Sequence, residues 1–114
     1  MVLKNENMSR TVRSGLKGGK GDISFVNFAD CTEFKNCRLL SEMTIPVGAS
    51  IGEHTHINES EYYIIKEGLG LAVDNGVERT VKSGDLIVTN HGESHKLVNI
   101  GEEPLKVIAI IITY

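Results

Sequence analysis

Residues 52–68 read GEHTHINESEYYIIKEG: two histidines one residue apart, a short polar stretch, then a carboxylate heading an apolar run that ends in glycine. In an extended strand, residues i and i+2 project from the same face. His54 and His56 therefore point together, about 6–7 Å apart along the backbone. Two imidazoles at that spacing can meet one cation. Glu61 follows the turn INES and opens the next strand. Neighbouring strands of a hairpin lie about 5 Å apart, so its carboxylate can return to the same place. A further ligand has to come from elsewhere, and the two remaining histidines are His91 and His95.

The flanking sequence repeats this strand-and-turn pattern. ISFVNF (23–28) alternates, and CRLLSEMTI (37–45) sets Leu39, Ser41, Met43 and Ile45 on one face. LGLAVDNGVERTV (69–81) is a hairpin whose Asn75-Gly76 tip supplies the positive φ angles of a type I′ turn. Three more runs follow, at 84–90, 95–101 and 104–114. Nowhere does helical periodicity last three turns. Eight or so short strands at regular spacing predict an all-β closed barrel or two-sheet roll. In the last strand both parities of 107–112 are apolar. A strand with one wet face should alternate, so the outer face is expected to be dry, with a second subunit as its cover.

The 114 residues suit one domain. A net charge of −3 argues against a nucleic-acid partner. No run is long enough to span a membrane and no apolar leader opens the chain, so a cytoplasmic location is expected. Cys31 and Cys37 read as two free thiols, since reducing cytosol disfavours a disulfide and no CxxC is present. Residues 1–22 carry five Lys or Arg against two acids, whereas the rest carries seven against thirteen. This basic, glycine-rich arm is either a solvated tail or packs on a second subunit. GLKGGKGD (15–22) fails as a phosphate loop because Ser14 and Gly21 stand where glycine and a hydroxyl are needed, and reads as a flexible connector.

Counted by spacing, Gly48, His54, His56, Glu61 and Gly68 match the first cupin motif at every fixed position. Gly84, Gly92, His95 and Asn99 match the second, where Asn90 replaces its proline. The chain thus resembles the cupin superfamily over roughly residues 40–113. The resemblance implies a double-stranded antiparallel β-helix, a jelly-roll barrel over 23–114 with 1–22 as its arm. It also implies a divalent transition metal held by His54, His56, Glu61 and His95. Imidazole and carboxylate donors suit manganese, iron, cobalt, nickel or zinc, and the resemblance puts manganese first. Four protein ligands in an octahedral site leave two positions for water, dioxygen or a carboxylate.

Among cupins, the chain looks like the small single-domain relatives of oxalate decarboxylases. That implies a small carboxylate ligand and a decarboxylase-like activity. The two-domain oxalate decarboxylases carry arginine three residues before the first histidine, where this chain has Ile51. Arg13, Lys20 and Arg38 are the cations that could substitute. The alternatives are a metal-dependent dioxygenase or isomerase acting on a small polar substrate, and a non-catalytic barrel for a small molecule or sugar. Glu59 reads as a solvated turn residue, His91 as a surface turn residue, and Tyr63 shares the parity of Glu61.

Overall fold

The computed structural model describes all 114 residues. Ten strands run through the chain: β1 (Ser9–Ser14), β2 (Asp22–Asn27), β3 (Cys37–Ile45), β4 (Ser50–Thr55), β5 (Glu59–Glu67), β6 (Leu69–Asp74), β7 (Val77–Lys82), β8 (Leu86–Thr89), β9 (Ser94–Asn99) and β10 (Leu105–Thr113). The only helical segments are three short 3₁₀ turns. No helix is long and apolar enough to cross a membrane.

Two antiparallel sheets face each other. One has six strands in the order β1-β2-β3-β10-β5-β8, and the other has four in the order β4-β9-β6-β7. This is the two-sheet roll that the strand pattern predicted, and it is the jelly roll that the resemblance implied. Apolar residues at alternate positions point between the sheets. Ile23 and Phe25 of β2, Met43 and Ile45 of β3, Ile65 of β5, Leu97 of β9, and Leu105 and Val107 of β10 make one continuous core. Asn75 (φ 49°) and Gly76 (φ 83°) turn the β6–β7 hairpin, as the dipeptide requires.

The outer face of β10 keeps the second apolar parity. Ile110 lies between Leu40 of β3 and Tyr62 of β5, and Ile108 sits beside Ile64. Val88 and Leu86 of β8 continue this band. Ile108, Ile110 and Ile112 are half-buried, while Ile64, Val88 and Leu86 are exposed.

The N-terminal segment differs from its sequence reading. Residues 9–14 form β1, paired in full register with β2 of the same chain. The stretch read as a flexible connector is a tight turn seated on β4. Lys20 and Ser50 exchange two hydrogen bonds there, Ser50 N–H to the Lys20 carbonyl (2.8 Å) and Lys20 N–H to Ser50 Oγ (3.0 Å). A Cβ at Gly52 would lie 2.0 Å from the Lys17 carbonyl oxygen, and one at Gly19 would lie 2.1 Å from that of Ser50. Glycine on both sides lets the two backbones touch, and this close approach is not visible in composition.

Candidate metal centre

The centre is assembled from three β segments of both sheets. His54 is the penultimate residue of β4, His95 lies directly opposite it on β9, and Glu61 is on the inner face of β5. His56 lies just past β4, where its N–H donates to the Glu93 carbonyl and its own carbonyl accepts from Gly92 N–H. The i, i+2 argument places the two histidines together, but a bulge puts them on the inner face. Between Ile51 and His54, β4 has one more residue than β9 has between Leu97 and His95. The extra residue lets buried Ile51 and His54 share the inner side, where a regular strand would set them opposed.

His54, His56, Glu61 and His95 each offer one ligand atom, and the four atoms lie within 4.8 Å of one another. The Nε2 atoms of His54 and His56 are 3.0 and 3.1 Å from that of His95. Glu61 Oε1 is 3.0 Å from the Nε2 atoms of His56 and His95 and 3.8 Å from that of His54. His56, Glu61 and His95 are each less than 5% exposed, with values of 4%, 3% and 2%.

The outer nitrogen of each ring explains its orientation. His54 Nδ1 donates to the Gly52 carbonyl at 2.8 Å. His56 Nδ1 donates to the Glu59 carboxylate, which Arg38 grips with two bonds of 2.9 Å. His95 Nδ1 meets Thr89 Oγ1 at 2.7 Å, and the ring stacks on Tyr63 at 4.7 Å. A carbonyl and a carboxylate only accept, so neutral His54 and His56 carry their protons on Nδ1 and turn lone pairs inward from Nε2. Glu61 Oε1 is buried without a hydrogen-bond partner. Lone pairs crowded at 3.0 Å repel one another unless positive charge sits among them. A proton on one ring relieves part of this, whereas a divalent cation answers all four atoms at once.

The four groups also shift one another's titration. Burial pushes the Glu61 carboxyl up, but the three imidazoles outweigh it and hold it well below the usual carboxylate range. The Glu61 carboxylate raises the His56 pKa, whereas burial lowers that of His95. The rings differ because burial dominates at His95, whereas His56 has, besides Glu61, a second carboxylate, Glu59, at its back. Arg38 holds Glu59 below its ordinary pKa. Burial keeps Tyr63 neutral by raising its pKa far above the ordinary value.

A cupin domain model matches residues 41–111. The chain belongs to the cupin family. This cupin is 35% identical over 113 residues to an oxalate-binding protein of Thermotoga maritima, covering 98% of this chain and 93% of that protein. A solved structure from Thermotoga maritima, described as a predicted oxalate decarboxylase, superposes with a TM-score of 0.94 at 34% identity and full coverage of both chains. A sugar phosphate isomerase of Silicibacter pomeroyi shares the fold at 18% identity, with a TM-score of 0.81 over 100% of this chain and 76% of that one.

Other sequence readings fall out differently. Glu59 is not a solvated turn residue but the partner of His56, and its position three residues on was the visible signal. Thr89 was missed because the β5–β8 pairing that sets it beside the centre is non-local. His91 stays outside the cluster and accepts the Asn58 N–H, fixing the turn just before β5. Asn90, where the motif has proline, donates its backbone N–H to Glu93 Oε1 at 2.7 Å, a bond proline cannot make. Asn99 is structural and donates to the carbonyls of Ile45 and Glu103. A cavity of about 180 Å³ opens over the centre. Ile51 and Tyr63 line it, and Arg13, Lys17 and Arg38 reach it from exposed positions, whereas Lys20 does not line it.

Proposed function

We propose that the chain is a divalent-metal-binding cupin whose centre takes a small carboxylate, with oxalate the first candidate. His54, His56, Glu61 and His95 are its ligands, and manganese is the first candidate among the divalent transition metals. The observation that carries this is the inward convergence of imidazole lone pairs on a buried carboxylate oxygen that lacks a partner. Such nitrogen and oxygen donors fit a borderline divalent cation, and four of them leave coordination positions for a ligand. A metal bound there supplies Lewis acidity and a point to which a carboxylate can attach. The chain's own groups do the rest. Gly52, Glu59 and Thr89 orient the rings, while Ile51 and Tyr63 keep the floor of the cavity apolar.

Binding is better supported than decarboxylation. Glu61 is the only carboxylate lining the cavity. As a ligand it cannot also pass a proton to a carbanion. Similarity to a protein described as oxalate-binding, along nearly the whole chain, supports the same reading. Calorimetric titration of oxalate into manganese-loaded protein tests it. Saturable binding without release of carbon dioxide is expected, and no binding to the metal-loaded protein would contradict it.

The apolar band on the outer face of β10 supports a homodimer packed sheet to sheet. Sedimentation should show a dimer at micromolar concentration. A monomer under those conditions would contradict this assembly.

A further inference from the structure

The floor of the cavity belongs to the four-residue centre, but part of its rim belongs to a segment that neither cupin motif reaches. Arg13 on β1 and Lys17 in the following turn both line the cavity. Their placement is built in. The turn is pinned to β4 by the Lys20–Ser50 hydrogen bonds and by the glycine contacts at Gly19 and Gly52. Lys17 is held at φ 55°, a left-handed conformation that disfavours a residue with a side chain. Gly52 serves both sides of the contact. Its missing Cβ admits the Lys17 carbonyl, and its own carbonyl accepts from His54.

The three cations at the rim are not equivalent. Arg38 is bound in bidentate fashion to Glu59, so its charge is already answered. Arg13 lies over the Phe25 ring, 5.7 Å from its centroid, and neither it nor Lys17 pairs with a carboxylate. Stacking restrains the guanidinium while leaving its five N–H donors free. A restrained, unpaired guanidinium above a centre that binds a carboxylate suits a ligand with a second acid group. At about 180 Å³ the cavity lies below the usual range for larger ligands, so it admits only a few heavy atoms.

We propose that Arg13, with Lys17 beside it, binds the outer carboxylate of a small dicarboxylate whose inner carboxylate sits at the His54, His56, Glu61 and His95 centre. This rests on the carboxylate-binding reading and goes further by assigning selectivity for dianions to the N-terminal strand.

The test compares malonate with acetate by calorimetry on manganese-loaded wild type, Arg13→Gln and Arg13→Lys, with metal content measured for each. Wild type should bind malonate more tightly than acetate. Arg13→Gln should weaken malonate about fivefold to tenfold, as expected for one charge-assisted contact at a rim. Acetate binding should change less than about twofold, metal content should not change, and Arg13→Lys should keep part of the preference. Equal losses for both acids, no loss for either, or loss of metal from Arg13→Gln would each overturn the proposal. If wild type holds metal but binds neither acid, the carboxylate reading fails as well. If it binds both equally, only the role of Arg13 fails.

Discussion

Replacing Thr89 with valine removes one oxygen from beside the centre and little else. Thr89 is fully buried, and its Oγ1 lies 2.7 Å from His95 Nδ1. Valine has nearly the same shape, so no cavity opens. What changes is that His95 Nδ1 loses its partner inside a ring that is 2% exposed. Leaving a buried donor unsatisfied costs about 1–3 kcal/mol, and the extra methyl group recovers up to about 0.8 kcal/mol. A net loss of about 1–2 kcal/mol corresponds to a melting temperature lower by about 4–8 °C for a domain of this size. The ring also loses the contact that fixes which nitrogen faces inward. Outer partners of ligating histidines typically contribute about 10–100-fold to metal affinity. Competition with a chelator of known affinity measures that loss, and calorimetry of the metal-free protein measures the stability change separately. Metal affinity within about twofold of wild type would refute the reasoning, because either His95 is not a ligand or Thr89 does not orient it.

Three further outcomes are expected. Gly52→Ala places a Cβ 2.0 Å from a backbone oxygen; overpacking should cost about 1–3 kcal/mol and loosen the turn at 15–21, read as faster amide exchange there, and unchanged exchange would contradict the contact. The metal-free protein should lose stability in acid. Glu61 and Glu59 both titrate below their ordinary range, so their contribution is present above the unfolded carboxylate value of about 4.3 and is lost as pH falls below it. His56, raised, contributes below about pH 6.5 and loses this as pH rises through its folded value, whereas His95, lowered, contributes above about 6.5, so the two act in opposite directions there. A melting temperature that stays flat across roughly pH 6 to 3, the range in which carboxylates titrate, would contradict this. Finally, burial and the neighbouring Cys37 thiol push the Cys31 thiol up to about 11, so it should react slowly with iodoacetamide near pH 8, roughly an ordinary thiol's titration range; rapid labelling would contradict it.

The sequence carried the local part of this account and missed the non-local part. His54, His56 and Glu61 lie within eight residues, where strand periodicity and a short turn suffice to bring them together. Alternation of Ser41, Met43 and Ile45 correctly marked the inner face of β3. His95 needed the second motif, because only the β4–β9 pairing sets it opposite His54. The bulge at Gly52, the Thr89 hydroxyl and the seat of Lys17 on β4 all depend on which strands meet. Residues far apart in sequence create those contacts, and no local pattern encodes them. Segment 9–14 alternates too weakly to announce a strand, and its six residues are all exposed. Pairing with β2, rather than burial, holds it in place.

The central claim is that four side chains from three β segments share one cation. Anomalous scattering at the metal edge, from crystals of protein loaded with manganese, tests it most directly. One peak per chain is expected, at bonding distance from the Nε2 atoms of His54, His56 and His95 and from Glu61. A peak elsewhere, or one that leaves out His95, would contradict it.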